Sequence, residues 1–101
     1  MFIYNVTLKV HEAINKEWLQ WLKEIHIPEV MDTKCFTGFR IVRLVDIDDS
    51  EGPTYAVQYD AESKAAYNLY IEKFAGEMRR RSFEKWGDQF IAFRSLMQIV
   101  D

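Results

Sequence analysis

The chain has 101 residues, a formal net charge of −3, and a hydrophobic share of nearly half. This length predicts one domain over residues 1–101, and the hydrophobic and aromatic content excludes a disordered chain. The negative charge is unlike the basic footprint of nucleic-acid-binding proteins, so we expect no nucleic-acid partner. No apolar run approaches the ~20 residues of a membrane span, and no signal peptide is visible at the start. We therefore expect no membrane association and a cytoplasmic location.

The first third of the chain predicts a strand followed by a helix. Residues 2–10 alternate between apolar and polar, which is typical of a strand. From Glu12 to about Met31 the period changes to that of a helix. The apolar stripe of this helix consists of Ile14, Trp18, Trp21, Leu22 and Ile25. Pro28 has no amide hydrogen and disfavours helical geometry at Ile27, so we expect a kink or break there, with a short helical continuation through Val30 and Met31.

The remaining two thirds predict two strands, a helix and a last strand. A strand over Phe36–Asp46 and one containing Tyr55, Val57 and Tyr59 are separated by an acidic loop ending in Gly52-Pro53. Ser63 is a suitable N-cap for the second helix, which should end near Trp86 with Gly87 as a left-handed cap residue. The last strand is expected over Gln89–Val100.

The order of these elements is β-α-β-β-α-β, which predicts an α+β, ferredoxin-like fold. In that fold two helices cover one face of a four-stranded antiparallel sheet. Many unrelated functions occur on this plan, so the order predicts architecture rather than chemistry.

The face of the sheet that the helices leave uncovered is predicted to be mixed. If the helices cover the more apolar side of each strand, the other side carries Asn5, Thr7 and Lys9, then Thr54, Ala56 and Gln58, then Phe90, Ala92, Arg94, Leu96 and Gln98. The parity of the second strand stays open, because Arg40 and Arg43 point to opposite sides. Such a face suits a homodimer that pairs through its sheets around a semi-polar cavity. The alternative is an ordinary solvent-facing sheet.

The candidate site residues are one histidine and four polar strand residues. His26 precedes the Pro28 break, where it is a candidate general base, held in one tautomer or made more cationic by the helix end. The alternative is a structural histidine that bonds the free carbonyls of the broken helix. The candidate ligand-binding residues are Asn5, Arg40, Gln58 and Arg94. Arginines there suit a carboxylate or phosphate, although a salt bridge within the protein is the simpler reading.

Other chemistries lack the residues they need. The acidic loop has no EF-hand spacing, Cys35 stands alone, and no pair of histidines is spaced for a metal, so we expect neither a metal nor a cofactor. An RNA recognition motif shares the element order, but the third strand has none of its basic-Gly-aromatic pattern. The chain also lacks the Gly-rich anion-binding loop that an acylphosphatase carries after its first strand.

Several segments resemble an uncharacterised bacterial family of about this length, and the likeness covers essentially the whole chain. These segments are Ile3–Thr7, His26–Pro28, Thr37–Arg40 and Gly87–Arg94. More distantly the chain is similar to the dimeric α+β barrel superfamily, which includes antibiotic-biosynthesis-type monooxygenases, muconolactone-isomerase-like proteins and stress-responsive barrel proteins. The resemblance implies a ferredoxin-like protomer that pairs through its sheet, and no particular activity. Some barrel-superfamily members carry a histidine late in the first helix, and His26 is the matching position.

Three hypotheses for the function follow. The first is a homodimeric barrel domain that binds a small organic acid or aromatic ligand. The second is a cofactor-independent oxygenase or isomerase, in which His26 is the base and Arg40 or Arg94 orients an anion. The third is a purely structural or regulatory dimerisation module.

Overall fold

The computed structural model describes residues 1–101 and contains a four-stranded antiparallel sheet with helices on one side. The strands are β1 (Phe2–Val10), β2 (Gly38–Arg43), β3 (Thr54–Ala61) and β4 (Phe90–Gln98), in the order β2-β3-β1-β4. β1 therefore lies inside the sheet, between the strand before the second helical region and the strand after it. This topology confirms the predicted ferredoxin-like fold.

The first helical region is continuous through Pro28: the predicted break is absent, an irregular turn precedes the proline, and the predicted helical continuation through Val30 and Met31 is confirmed. A 3₁₀ turn (Glu12–Ile14) leads into α1 (Asn15–Trp21), a π-helical turn (Leu22–His26) and α2 (Ile27–Met31). In the π turn, the Ile27 amide donates to the Leu22 carbonyl, five residues back. A proline inside an α-helix clashes with the carbonyl four residues before it, and the wider π turn relieves this crowding.

The second helical region begins as predicted but bends once. The hydroxyl of Ser63 accepts a hydrogen bond from the Ala66 amide at 3.0 Å, which confirms it as the N-cap of α3 (Lys64–Lys73). Helical geometry is interrupted at Phe74, and α4 (Ala75–Trp86) follows. Gly87 ends α4 with φ of 61°, a left-handed conformation that favours glycine.

The core lies between the helices and the sheet, and the π turn decides which helical residues reach it. Trp18, Leu22 and Ile27 are almost completely buried. Ile25 is 47% exposed, so its predicted place on the apolar stripe is wrong. One extra residue in the turn rotates every later side chain, because the helical stripe assumes a constant period of 3.6.

The register of β4 corrects the predicted faces of the sheet. Arg94 lies opposite Val6 and Leu96 opposite Tyr4, and directly opposed residues share a face. Phe90, Ala92, Arg94, Leu96 and Gln98 therefore face the helices, contrary to the prediction. The open face, defined as the side without helices, instead carries Ile91, Phe93, Ser95 and Met97 of β4. The assumption that the helices cover the more apolar side of each strand fails for β4, an edge strand whose more apolar side is left uncovered.

The register of β2 settles the parity that the sequence left open. Arg40 lies opposite Gln58 and so belongs to the open face, together with Asn5 of β1. Arg43 lies opposite Tyr55, on the helix side. Among the helices of the structure, none combines the length and the apolar character that crossing a membrane requires.

The burial of Trp18 generates a test of the core. Its side chain is 1% exposed and stacks on Tyr55 with ring centroids 5.7 Å apart. Trp18→Ala should lower the free energy of unfolding by about 3–5 kcal/mol, because it removes a large buried surface and leaves a cavity. Urea denaturation followed by circular dichroism measures the change. A loss below about 1 kcal/mol is typical of surface substitutions and would contradict the packing described.

Candidate functional site

A cavity of about 60 Å³ lies between the helices and the sheet. It lies inside a single chain, whereas the sequence predicted a cavity between two sheets. Most of its lining is apolar and includes Leu8, Trp18, Trp21 and Leu22. Its polar lining residues are Tyr4, His26, Tyr59, Tyr70, Arg79, Ser82 and Arg94. An apolar pocket with a few convergent polar groups is the usual form of a small-molecule site.

His26 reaches this cavity because of the π turn. Trp21 and His26 are five residues apart, the spacing of one π turn, and their rings stack with centroids 4.9 Å apart. In an uninterrupted α-helix, the residue four after Trp21 would take that place, and this is Ile25. The turn therefore exchanges an aliphatic side chain for a titratable one at the cavity wall.

The imidazole of His26 is neutral at pH 7. Burial, followed by the charges of Arg94 and Arg81, lowers the pKa of His26 from 6.5 to about 4. The expectation that the helix end makes this ring more cationic is therefore wrong, since the chain remains helical there and both neighbouring charges are positive. The ring makes no hydrogen bond with the rest of the chain, so it does not bond free carbonyls as a structural histidine would.

The mouth of the cavity is cationic. Arg79 on α4 and Arg94 on β4 are both exposed, and both line the cavity. We call this pair the cationic mouth. Neither guanidinium forms an ion pair, whereas Arg80 and Arg81 both pair with Glu77 and Arg81 also pairs with Glu29.

Three buried tyrosines form the inner wall. Tyr4, Tyr59 and Tyr70 are each at least 96% buried, and their rings pack against one another around Tyr4. None of the three hydroxyls is hydrogen-bonded within the chain. Tyr55, which is also buried, instead donates to Asn15 Oδ1 at 2.7 Å. Burial raises the pKa of Tyr59 and Tyr70 above the ordinary value of 10, so both phenols remain donors.

The other predicted ligand-binding residues lie on the opposite side of the sheet. Arg40 donates to Gln58 Oε1 at 3.1 Å and to both carboxylate oxygens of Asp60 at 2.9 Å. Gln58 in turn donates to Asn5 Oδ1 at 3.2 Å, and Asn5 donates to Thr7 Oγ1 at 3.0 Å. These five residues form one hydrogen-bonded row across β2, β3 and β1, which we call the polar row.

The structure thus divides the predicted site residues into two groups. His26 and Arg94 meet in the cavity, while Asn5, Arg40 and Gln58 belong to the polar row of the open face. Arg43 is at neither place and pairs with Asp49 at 3.1 Å. No group of His, Cys, Asp and Glu side chains is arranged to hold a metal ion.

The sequence prediction missed Arg79 and the three cavity tyrosines. Arg79 belongs to a run of three arginines on a helix, and such a run reads as a solvated face. The bend at Phe74 changes the rotation of α4 and hence which arginine of the run faces the sheet. A constant helical period over both helices does not predict this change. Tyr4 and Tyr59 were assigned to the apolar strand sides, which is correct. Their hydroxyls, polar atoms on otherwise apolar sides of the strands, were the available signal.

Comparisons with known proteins agree with this fold. The model of a family described as a domain of unknown function, DUF4286, matches residues 1–100. No curated protein is significantly similar in sequence.

Several solved structures share the architecture at low sequence identity. A dimeric ferredoxin-like protein from an uncultured marine organism has a TM-score of 0.74 and 11% identity, covering 99% of this chain and 95% of its own. An EthD family protein from Bacillus halodurans has a TM-score of 0.70 and 10% identity, with 99% and 100% covered. A putative antibiotic biosynthesis monooxygenase from Deinococcus radiodurans has a TM-score of 0.60 and 14% identity, with 100% and 94% covered. At these identities the likeness shows the fold alone.

The lowered pKa of His26 makes stability depend on pH. Well above pH 6.5 the ring is neutral in both the folded and the unfolded chain, so the free energy of unfolding does not depend on its titration there. Between pH 6.5 and about 4 the unfolded chain binds a proton that the folded chain does not, so the free energy of unfolding falls as the pH falls. The loss approaches about 1.4 kcal/mol per pH unit, or roughly 3 kcal/mol in total.

Urea unfolding of the wild type and of His26→Gln at a series of pH values isolates this contribution. We expect the wild type to lose more stability than the variant on acidification from pH 7 to 4.5. Equal slopes for the wild type and His26→Gln would show that the ring is not held neutral by the fold.

Proposed function

The chain belongs to the DUF4286 family of unknown function, and we propose that it is a homodimeric domain that binds a small organic ligand in the cavity between its helices and its sheet. The observation that carries the proposal is the set of unpaired polar groups that converge on an apolar cavity. His26, Arg94 and the Tyr70 hydroxyl come from three different elements and have no partner in the chain. A mainly apolar cavity on which a few polar groups converge is the usual form of a small-molecule site, so their convergence supports a ligand there.

A catalytic role for His26 is the second candidate. Its neutral, unpaired ring has the form that a general base requires. A base acts best when its pKa lies near the working pH, and a pKa of about 4 makes His26 a weak base at pH 7. Binding is therefore favoured over proton transfer in the unliganded protein. If the domain is an enzyme, His26→Gln should retain ligand affinity and lose turnover.

Ligand binding is tested by screening small neutral, anionic and cationic molecules against the ¹⁵N-labelled protein. We expect binders to shift the amide resonances of cavity residues such as Leu22 and Tyr59, and to leave those of the hairpin loop unchanged. Ser82→Phe should abolish these shifts, since Ser82 lines the cavity and a phenyl ring would fill it. Ser50→Phe, in the exposed hairpin loop, is the control. A screen without any cavity binder would refute the proposal.

The open face supports a homodimer. Phe93 is 69% exposed, and Ile91, Met97 and Val42 of the same face are also exposed. These residues lie toward the two edges of the sheet, on either side of the polar row, and exposed apolar residues next to polar ones are typical of interaction sites. A second copy of the chain brings the same apolar residues and the same polar row, as an isologous interface requires. A structural neighbour whose fold this chain shares is itself described as dimeric.

A charge at Phe93 should disrupt this dimer. Phe93→Glu places a carboxylate in the centre of the β4 side of the open face, where dimer formation would bury it without a partner. Phe83 is similarly exposed, at 65%, but lies on α4, so Phe83→Glu is the matched control. Sedimentation equilibrium should show dimers for the wild type and Phe83→Glu, and monomers for Phe93→Glu. A monomeric wild type at micromolar concentration would contradict the dimer.

A further inference from the structure

Resting on the proposed function, we propose that the ligand is a small organic acid with a single-ring body, held with its body among the cavity tyrosines and its anionic group between Arg79 and Arg94. The ligand would thus enter body first, with its charge left at the cationic mouth. The structure supports each part of this assignment separately.

The anionic group is indicated by the two unpaired arginines. Arg40, Arg43, Arg80 and Arg81 each pair with a carboxylate of the chain, whereas the two arginines at the mouth pair with none. They come from different elements, α4 and β4, and approach the same cavity. A guanidinium binds a carboxylate through two parallel hydrogen bonds, which makes a carboxylate the fitting partner.

The charges of the mouth act on the interior of the cavity. Arg79 and Arg94 both oppose the rise that burial causes in the pKa of Tyr70. Arg94 also contributes to the lowered pKa of His26. An anion at the mouth therefore lies within the electrostatic reach of the Tyr70 hydroxyl and of the His26 ring. It would offset the effect of Arg94 and raise the pKa of His26.

The body of the ligand is indicated by the wall and by the size of the cavity. The interior is lined by indole and phenol rings and by aliphatic side chains, so it accepts an apolar body. An enclosed apolar cavity of roughly 150 Å³ holds a benzene molecule, so a cavity of about 60 Å³ that opens at the cationic mouth limits the enclosed body to no more than one small ring. The hydroxyls of Tyr4, Tyr59 and Tyr70 add donors for a ring substituent that accepts hydrogen bonds.

Three ring compounds of matched size and different charge test the assignment. Benzoate, benzamide and benzylamine are titrated into the ¹⁵N-labelled protein at pH 7 and low salt. We expect benzoate to bind about tenfold more tightly than benzamide, a difference of about 1.4 kcal/mol, and benzylamine to bind most weakly. Added salt should reduce the advantage of benzoate, because both arginines are exposed and salt screens their charges.

Single arginine variants locate the anionic group. Arg79→Gln and Arg94→Gln should each reduce the affinity for benzoate toward that for benzamide, and leave the affinity for benzamide unchanged. Arg80→Gln removes the same charge from the next residue of α4 and should bind benzoate like the wild type. As a second readout, saturating benzoate should raise the pKa of His26, measured by NMR titration of its ring protons.

The results separate this inference from the proposed function. Equal binding of benzoate and benzamide in the cavity would overturn the inference and leave the proposed function standing. An equal loss of benzoate affinity in Arg79→Gln and Arg80→Gln would overturn it too, because net charge alone would then explain the binding. Failure of all three compounds to bind would overturn the single-ring assignment. The proposed function would then depend on the wider screen.

Discussion

The way in which the first helical region accommodates Pro28 determines the character of the cavity. A proline cannot donate to the carbonyl four residues before it, and its ring crowds that carbonyl. The chain meets this constraint with a π turn over Leu22–His26 and remains helical. The extra residue turns Ile25 outward and brings His26 against Trp21 and the cavity. The cavity owes its neutral imidazole to this single irregular turn, and π turns of this kind occur frequently at functional sites.

The two faces of the sheet have different chemistry, and the sheet keeps them apart. On the helix side, rings surround polar groups that have no partner in the chain. On the open face, the polar row from Asp60 to Thr7 satisfies most of its own hydrogen-bonding groups. A network whose donors and acceptors already bond one another has few free groups to bind a small ligand. It can be buried in an interface without leaving a charge unpaired. This contrast is why the ligand is assigned to one face and the second copy to the other.

The element order was predictable because it depends on changes of period, which are strong in this chain. Trp18 and Leu22 were correctly placed in the core, since Trp18 precedes the π turn, Leu22 is its first residue, and both follow the regular helical spacing. Ile25 was not, because it lies inside the π turn, where the helical spacing is no longer 3.6 residues per turn. The side assigned to Arg94 was wrong for a different reason. Periodicity shows that the two sides of β4 differ, but not which side the helices cover, and burial of the more apolar side fails when that side suits a second chain.

Histidine 26 was singled out for its position before a proline, and it does lie at the cavity, although the reason given from the sequence was wrong. The sequence argument required a helix end, and the structure has no end there. The sequence could not supply the cause, because the choice between a break and a π turn depends on packing of the later residues. Ile27 and Val30 are almost completely buried, and burying these apolar side chains stabilises a helix that continues past the proline.

The position of β1 inside the sheet has a consequence for biosynthesis. β1 pairs with β3 on one side and with β4 on the other, so β1 is synthesised about 80 residues before one of its two partners. Until β4 emerges, one edge of β1 has no partner, and Phe90 and Arg94 are missing from the cavity. Pairings between distant segments form slowly and leave apolar edges exposed meanwhile. The cavity is therefore complete only after β4 has emerged, so a nascent or truncated chain that lacks β4 is unable to assemble the cationic mouth.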